Sequence, residues 1–151
     1  MTSKASSLVA GAKQWASYYG DYANGDEGHV LTAILRIRAA WGSNDADAFA
    51  DMFVDNGSML VGDNQLMNRE EIRAYMADAF SSYHQGTSLD EEPKEIKLLT
   101  DTSALAVTQG GVVAPGAAAL ADENEVRALW VLAKIDGDWR VVSHQTSPIK
   151  S

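Results

Sequence analysis

The residues best suited to chemistry form a polar run, Ser143-His144-Gln145-Thr146, at the end of the last strand-forming stretch. His144 could act as a general acid or base, because the ordinary pKa of histidine lies near neutrality. Successive side chains of a strand project to opposite faces, so only one of His144 and Gln145 should face the interior. We predict His144 as the catalytic candidate and Gln145 as a ligand-orienting group. Hydrogen bonding at the strand end is the alternative role for both.

Four other titratable side chains are weaker candidates: His29, His84, Asp51 and Asp55. His84 follows a predicted helix and suits either a cavity rim or an exposed helix end. The two aspartates lie on either side of Phe53, where burial could raise a carboxyl pKa, although solvated acids are the commoner case. The spacing of the three histidines does not predict that they converge, so we expect neither a metal site nor a cofactor.

Several large apolar side chains could line a pocket for an elongated or polycyclic apolar ligand. They are Trp41, Phe53, Met59, Tyr75, Met76, Phe80 and Trp130. Taken singly, a residue of this kind is more often an ordinary core residue. Taken together, they make a ligand-binding pocket a reasonable expectation.

Helical periodicity identifies the elements that must hold these side chains. We predict a short helix over residues 6–19 and a Gly-, Asp- and Asn-rich linker to residue 28. A core helix follows from His29, because apolar residues recur at helical spacing as far as Trp41. A short helix comes next, with Ser43 or Asn44 as its N-cap, and "NREEI" (68–72) resembles the capping box of a third helix.

The remaining chain has a strand-like pattern. "GSMLVG" predicts a strand, and "DNQLMN" a turn with a short return strand. "KEIKLLT", "ALAVTQGGVVA", "EVRALWVLAKI" and "WRVVSHQTS" then predict four strands joined by short connections, with Asp136-Gly137 as a hairpin turn and Gly110-Gly111 as a bulge or bend. The fold class is therefore α+β, with about three helices packed on a curved, cone-shaped antiparallel sheet around a cavity.

The composition of the chain limits the number of domains, the partners and the location that we expect. The chain of 151 residues with 46% hydrophobic residues fits one domain, and its net charge of -9 argues against binding nucleic acid. The sequence contains no cysteine, no membrane-length apolar stretch and no apolar run of a secretory signal, so we expect a cytoplasmic protein that does not enter membranes. The charge runs "DEEPKE" and "ADENE" are interpreted as solvated loops.

The element order, together with "AWGSNDADAFADMFVDNGSMLV", "NREEI" and "ALWVLAKIDGDWRVVSHQTSP", resembles the nuclear-transport-factor-2-like superfamily. Within it, the chain is similar to SnoaL-like proteins of the SgcJ/EcaC type, a group that includes proteins encoded with enediyne polyketide genes. The resemblance covers roughly residues 29–149, so we divide the chain into a terminal segment, 1–28, and a SnoaL-like domain, 29–151. It implies a cone-shaped barrel with an internal apolar pocket, often dimeric through the sheet.

The function that the resemblance implies is an accessory role in enediyne-type polyketide antibiotic biosynthesis. The protein would bind a hydrophobic, polyene-like intermediate in its cavity, as a homodimer and in contact with a polyketide synthase. One alternative is a small isomerase or cyclase that uses His144 for general acid–base catalysis. A second alternative is a non-catalytic dimerisation domain whose cavity is only core.

Overall fold

The fold is seen in a computed structural model, which describes residues 25–149. The predicted helix over 6–19 lies outside the described residues. The first described helix, α1, spans Gly25–Gly42, so residues 25–28, predicted as linker, form its first turn. The apolar residues at helical spacing in α1, among them Val30, Ile34, Ile37 and Trp41, are all buried as expected.

A short helix, α2, spans Ala46–Asp51, but its N-cap is Asp45 rather than Ser43 or Asn44. The Asp45 carboxylate accepts from the backbone N–H of Ala48 at 3.0 Å. Asn44 instead has a positive φ of 51°, and its side chain accepts from the N–H of Gly86. Asparagine tolerates this left-handed conformation, so it serves the turn between the helices and leaves the capping to its neighbour.

The third helix, α3, spans Arg69–Phe80 and begins with the predicted capping motif. Asn68 Oδ1 accepts from the N–H of Glu71 at 2.9 Å. The Glu71 carboxylate reaches back to the N–H of Met67 at 3.2 Å, one residue beyond the expected partner. Both bonds satisfy backbone donors that a helix start leaves without partners.

Six strands form one curved sheet: β1 (Phe53–Val61), β2 (Asn64–Leu66), β3 (Ser88–Thr100), β4 (Ser103–Val113), β5 (Val126–Ile135) and β6 (Asp138–Pro148). Their order is β2-β1-β6-β5-β4-β3. Strands β3 to β6 form the predicted antiparallel meander. Strand β1 pairs in parallel with β6, which makes the sheet mixed. "DEEPKE" lies within β3, so its interpretation as a loop was wrong, whereas "ADENE" contains an exposed 3-10 turn.

Of the two glycine-containing features predicted for the sheet, the hairpin turn is confirmed and the bulge is not. Asp136 and Gly137 have φ values of 52° and 85°, as a two-residue hairpin turn between β5 and β6 requires. The irregularities in β3–β4 pairing lie at Pro93/Glu95 and Leu98/Thr100, not at the glycine pair. Gly110 is needed for a different reason, because a Cβ there would lie 1.8 Å from the carbonyl oxygen of Asp90.

The helices cover the concave face of the sheet, and the core lies between them. Its largest fully buried side chains include Trp130, Phe49, Phe53, Leu31 and Ile37. Inward-facing residues alternate with half-buried outward ones along β4 and β5. This α+β architecture with three helices is the predicted fold class. No helix within residues 25–149 is long and apolar enough to cross a membrane.

Candidate functional site

A cavity of about 520 Å³ opens between the helices and the concave face of the sheet. This volume lies within the range of small-molecule sites. Six residues predicted for the site line it: Trp41, Met59, Tyr75, Met76, Trp130 and His144. The wall also includes residues that the sequence did not single out for this purpose, notably Phe49, Tyr83, Leu89, Glu91 and Val112.

Three residues predicted to bind ligand do not line this cavity. Phe53 is fully buried against Phe49, with ring centroids 5.6 Å apart. Phe80 packs edge-on against Trp41 at 5.4 Å. Both phenylalanines are core residues behind the wall. Gln145 is exposed, because strand alternation turns it to the opposite face from His144.

His144 faces the cavity from β6 and packs against Trp130, its pairing partner on β5. The two ring centroids are 3.9 Å apart. Both ring nitrogens of His144 are buried, and neither makes a hydrogen bond within residues 25–149. Burial lowers the pKa of His144 to about 4, so the side chain is a neutral imidazole at neutral pH. One ring nitrogen is then a hydrogen-bond acceptor and proton acceptor, and the other is a donor.

Glu91 on β3 is a second polar group in the cavity, and the sequence interpretation missed it. Its side chain is buried, with 7% of the residue exposed. Burial raises the pKa of Glu91, although Thr108, Arg38 and Trp130 favour the charged form. The sequence feature that could have revealed Glu91 is alternation at the start of the charge run. Leu89 and Glu91 are two residues apart and both are buried, whereas Asp90 and Glu92 are exposed.

A chain of hydrogen bonds connects Glu91 to the aromatic wall. The indole N–H of Trp130 donates to Thr108 Oγ1 at 3.0 Å. The Thr108 hydroxyl in turn donates to Glu91 Oε2. Thr108 is only 1% exposed, so both bonds lie in a low-dielectric interior where an unpaired polar group would be costly. The chain fixes the orientation of the Trp130 indole and of the Glu91 carboxyl group.

Three further polar side chains of the cavity belong to α3 and the segment after it. The hydroxyl groups of Tyr75 and Tyr83 contact each other, and burial with this contact raises the pKa of Tyr83 to about 12. His84 lies between Trp41 and Tyr83, at centroid distances of 5.0 and 4.4 Å, and burial lowers its pKa. His84 therefore lines the cavity. This is one of the two positions predicted for it, the other being an exposed helix end.

The other titratable candidates lie outside the cavity. His29 is exposed on α1, 3.7 Å from Asp26. Asp51 pairs with Arg73 at 2.9 Å, and Asp55 pairs with Arg69 at 2.8 Å. Over residues 25–149, no group of three or more histidine, aspartate or glutamate side chains is arranged to hold a metal ion.

The cavity thus combines an apolar aromatic wall with a neutral His144 and with the buried Glu91, whose pKa is raised by burial. No lysine, arginine or aspartate belongs to the described wall of the cavity, so an anionic ligand would lose its hydration without gaining a partner of opposite charge. His144 can accept or donate a proton, and the protonated form of Glu91 can donate one. These properties suit either the binding of an apolar molecule or the transfer of a proton within it.

Comparison with known proteins places this geometry in a family. A family model for the SnoaL-like domain matches residues 29–151. The search of curated proteins found no match.

Solved structures show the same fold at low sequence identity. A cystatin-like protein of unknown function from Nostoc punctiforme superposes with a TM-score of 0.76 at 22% identity, over 83% of this chain and 78% of that one. An NTF2-like protein from Novosphingobium aromaticivorans gives 0.70 at 16% identity, over 100% and 93%. A ketosteroid isomerase-like protein from Erwinia carotovora gives 0.62 at 18% identity, over 82% and 95%.

Proposed function

This chain belongs to the SnoaL-like domain family, and we propose that it binds an uncharged apolar small molecule in its cavity. The observation that carries the proposal is the cavity of about 520 Å³, with its aromatic and methionine wall and the neutral His144 beside Trp130. A rigid ring system or a conjugated chain would gain contact with this wall at low entropic cost. A cavity of this size also argues against a domain whose interior is only core.

Within that role, we propose an accessory function in enediyne-type polyketide biosynthesis, with a polyene-like intermediate as the ligand. Support comes from the sequence resemblance to that branch of the family and from the largely apolar wall of the cavity. A conjugated chain released into water is prone to side reactions, and enclosure would shield it. His144 would hydrogen-bond to the polar end of the chain.

Fluorescence titration with diphenylhexatriene, an uncharged polyene that becomes fluorescent in apolar surroundings, tests the binding role. Val112 lines the cavity, so Val112→Trp places a large ring in the space that the ligand needs. We expect this variant to weaken binding by about tenfold or more, because overpacking a filled site costs on the order of 1–3 kcal/mol. Leu99→Trp, at an exposed position of β3, is the matched control and should bind as the wild type does.

Equal affinity in both variants would contradict binding in the cavity. Circular dichroism of each variant separates loss of the site from loss of the fold.

One observation favours a second function, that of an isomerase. His144 is a neutral base at the cavity wall, and neither of its ring nitrogens is bonded to another described side chain. In a β,γ-unsaturated ketone it would take the proton from the carbon between the carbonyl and the double bond. It would return that proton to the γ carbon, giving the conjugated ketone with no net change in atoms or charge.

Ultraviolet absorbance of the conjugated product distinguishes this activity from passive binding. We expect His144→Gln, which keeps a polar side chain but has no basic nitrogen, to reduce turnover by about 100-fold or more. Its affinity for diphenylhexatriene should stay close to that of the wild type. If the wild type binds the polyene and isomerises no unsaturated ketone, the binding role stands alone.

A further inference from the structure

We propose that Thr146 is a further ligand-contacting residue, whose hydroxyl group donates a hydrogen bond to a carbonyl oxygen of the bound molecule at the solvent-accessible edge of the cavity. The inference rests on the proposed binding role. It narrows the ligand class to uncharged apolar molecules that carry a carbonyl group at one end.

An irregularity in β6 turns Thr146 towards the cavity. Val141 of β6 is fully buried in the core, so strict alternation would direct Ser143 inwards as well. The pairing instead passes from Val141 to Ser143 over two adjacent residues of β5, which makes Val142 the extra residue of a bulge. The alternation is thereby reversed, and His144 and Thr146 line the cavity. Bulges of this kind recur next to functional sites, where they redirect a side chain.

The bulge divides the polar run at residues 143–146 between the two faces of the sheet. Ser143 lies 3.2 Å from Ser58 of β1, hydroxyl oxygen to hydroxyl oxygen, and Gln145 is exposed on the outer face. Thr146 lines the cavity, and its hydroxyl group makes no hydrogen bond to another residue in the part of the chain that the structure describes. Its proton is therefore available to a ligand.

The spacing of Thr146 and His144 suits a carbonyl compound. Both side chains lie on one face of β6, two residues and about 7 Å apart along the strand. An oxygen that accepts from the Thr146 hydroxyl at about 2.8 Å leaves the neighbouring carbon atoms of the ligand within reach of the His144 ring. In the binding role, the ring contacts the chain beside its carbonyl end. In the isomerase role, it faces the carbon from which the proton is taken.

The exposure of these side chains sets the orientation of the ligand. The ring nitrogens of His144 are buried, whereas Thr146 is exposed, so this face of β6 leads from the interior of the cavity to its edge. Val61 of β1 and Val126 of β5 are apolar lining residues from the two strands beside β6. The apolar body of the ligand would lie inwards against Trp130, with its carbonyl group outwards, where desolvation of the oxygen costs least.

Competition with diphenylhexatriene tests the inference. The probe is cinnamylideneacetone, an uncharged conjugated ketone with its carbonyl group near one end and an isotopic label at the carbonyl carbon. We expect Thr146→Val, which keeps the shape of the side chain but has no hydroxyl group, to weaken binding of the ketone about fivefold. The carbonyl stretch of the bound ketone, measured by infrared difference spectroscopy, should move to higher frequency because the oxygen loses a hydrogen bond. Affinity for diphenylhexatriene, which has no oxygen, should be unchanged.

Two further variants are the matched controls. Thr146→Ser keeps the hydroxyl group and should restore both the affinity for the ketone and its carbonyl frequency. Ser147→Ala removes a hydroxyl group from the next residue, which is exposed and projects to the opposite face of β6, so it should behave as the wild type does. Thr146→Ala provides the same comparison if Thr146→Val does not fold.

Unchanged ketone affinity and carbonyl frequency in Thr146→Val would overturn the inference and leave the binding role intact. An equal loss of affinity for the ketone and for diphenylhexatriene would also overturn it, because the hydroxyl group would then not act on the oxygen. A wild-type protein that binds diphenylhexatriene but not the ketone would have the same meaning. A wild-type protein that binds neither compound would overturn both the inference and the binding role.

Discussion

The burial of the two ring nitrogens of His144 makes folding depend on pH. The pKa of His144 falls from 6.5 to about 4 on folding, so the unfolded chain binds more protons between these values. The stability that the neutral side chain contributes is complete above about pH 6.5 and is lost as the pH falls through about 4. Burial therefore suits His144 to contact with an apolar ligand, and it also makes the fold less stable in acid.

We predict that His144→Phe reduces the acid sensitivity of the fold. Between pH 7 and pH 4, the wild type should lose about 3 kcal/mol more of its free energy of unfolding than the variant does, since each pKa unit corresponds to roughly 1.4 kcal/mol. Urea denaturation at several pH values measures the difference. His144→Gln also lacks the titrating group and should show the same trend, whereas parallel profiles for wild type and variants would contradict it.

At this scale the sequence identified His144 and missed Glu91. The polar run at residues 143–146 was evident, but choosing between His144 and Gln145 needed the register of β6, which the β5–β6 pairing sets. Glu91 was hidden within a charge run whose composition is typical of a solvated loop. Leu89 and Glu91 are visibly two residues apart in the sequence, but this spacing places them on one face only if the segment is a strand.

Among the secondary-structure elements, the close approach of β3 and β4 at Gly110 positions the Glu91 side of the cavity. We predict that Gly110→Ala lowers the free energy of unfolding by about 2 kcal/mol or more, because the new methyl group meets backbone atoms that cannot move independently. Thermal or urea denaturation measures this loss.

Gly42→Ala is the matched control for this substitution. A Cβ at Gly42 has no atom within 4 Å, so the change should stay within about 0.5 kcal/mol. Equal effects of the two substitutions would show that the approach of the strands at Gly110 is not a constraint.

The elements were largely predictable because their signals are local. The spacing of apolar residues predicted α1, the Asn68 motif predicted the start of α3, and Asp136-Gly137 predicted the last hairpin. The parallel pairing of β1 with β6 was not predictable, because it joins segments about 85 residues apart with no local signal in either. The N-cap of α2 shifted to Asp45 because Asn44 is held by the distant Gly86.

At the scale of the whole molecule, the outer face of the sheet is apolar at its centre. The outward side chains of β4 and β5 there are Leu105, Val107, Leu129 and Val131. An apolar patch on a sheet face favours association. Dimerisation through this face, expected from the family resemblance, stays a prediction.

Sedimentation equilibrium tests that prediction. We expect a dimer for the wild type and a monomer for the double variant Leu129→Glu, Val131→Glu, because two carboxylates on each copy would repel across the interface. Both side chains point away from the cavity, so diphenylhexatriene should still bind to the variant. A monomeric wild type at all concentrations would contradict the predicted dimer.

We propose above all that this SnoaL-like domain holds an apolar molecule in its cavity. The most direct measurement is a crystal structure of the full chain grown with diphenylhexatriene. We predict electron density for the polyene inside the cavity, against Trp130 and with one end near His144. A cavity that contains no polyene at saturating concentration, with its side chains closed over the space, would contradict it.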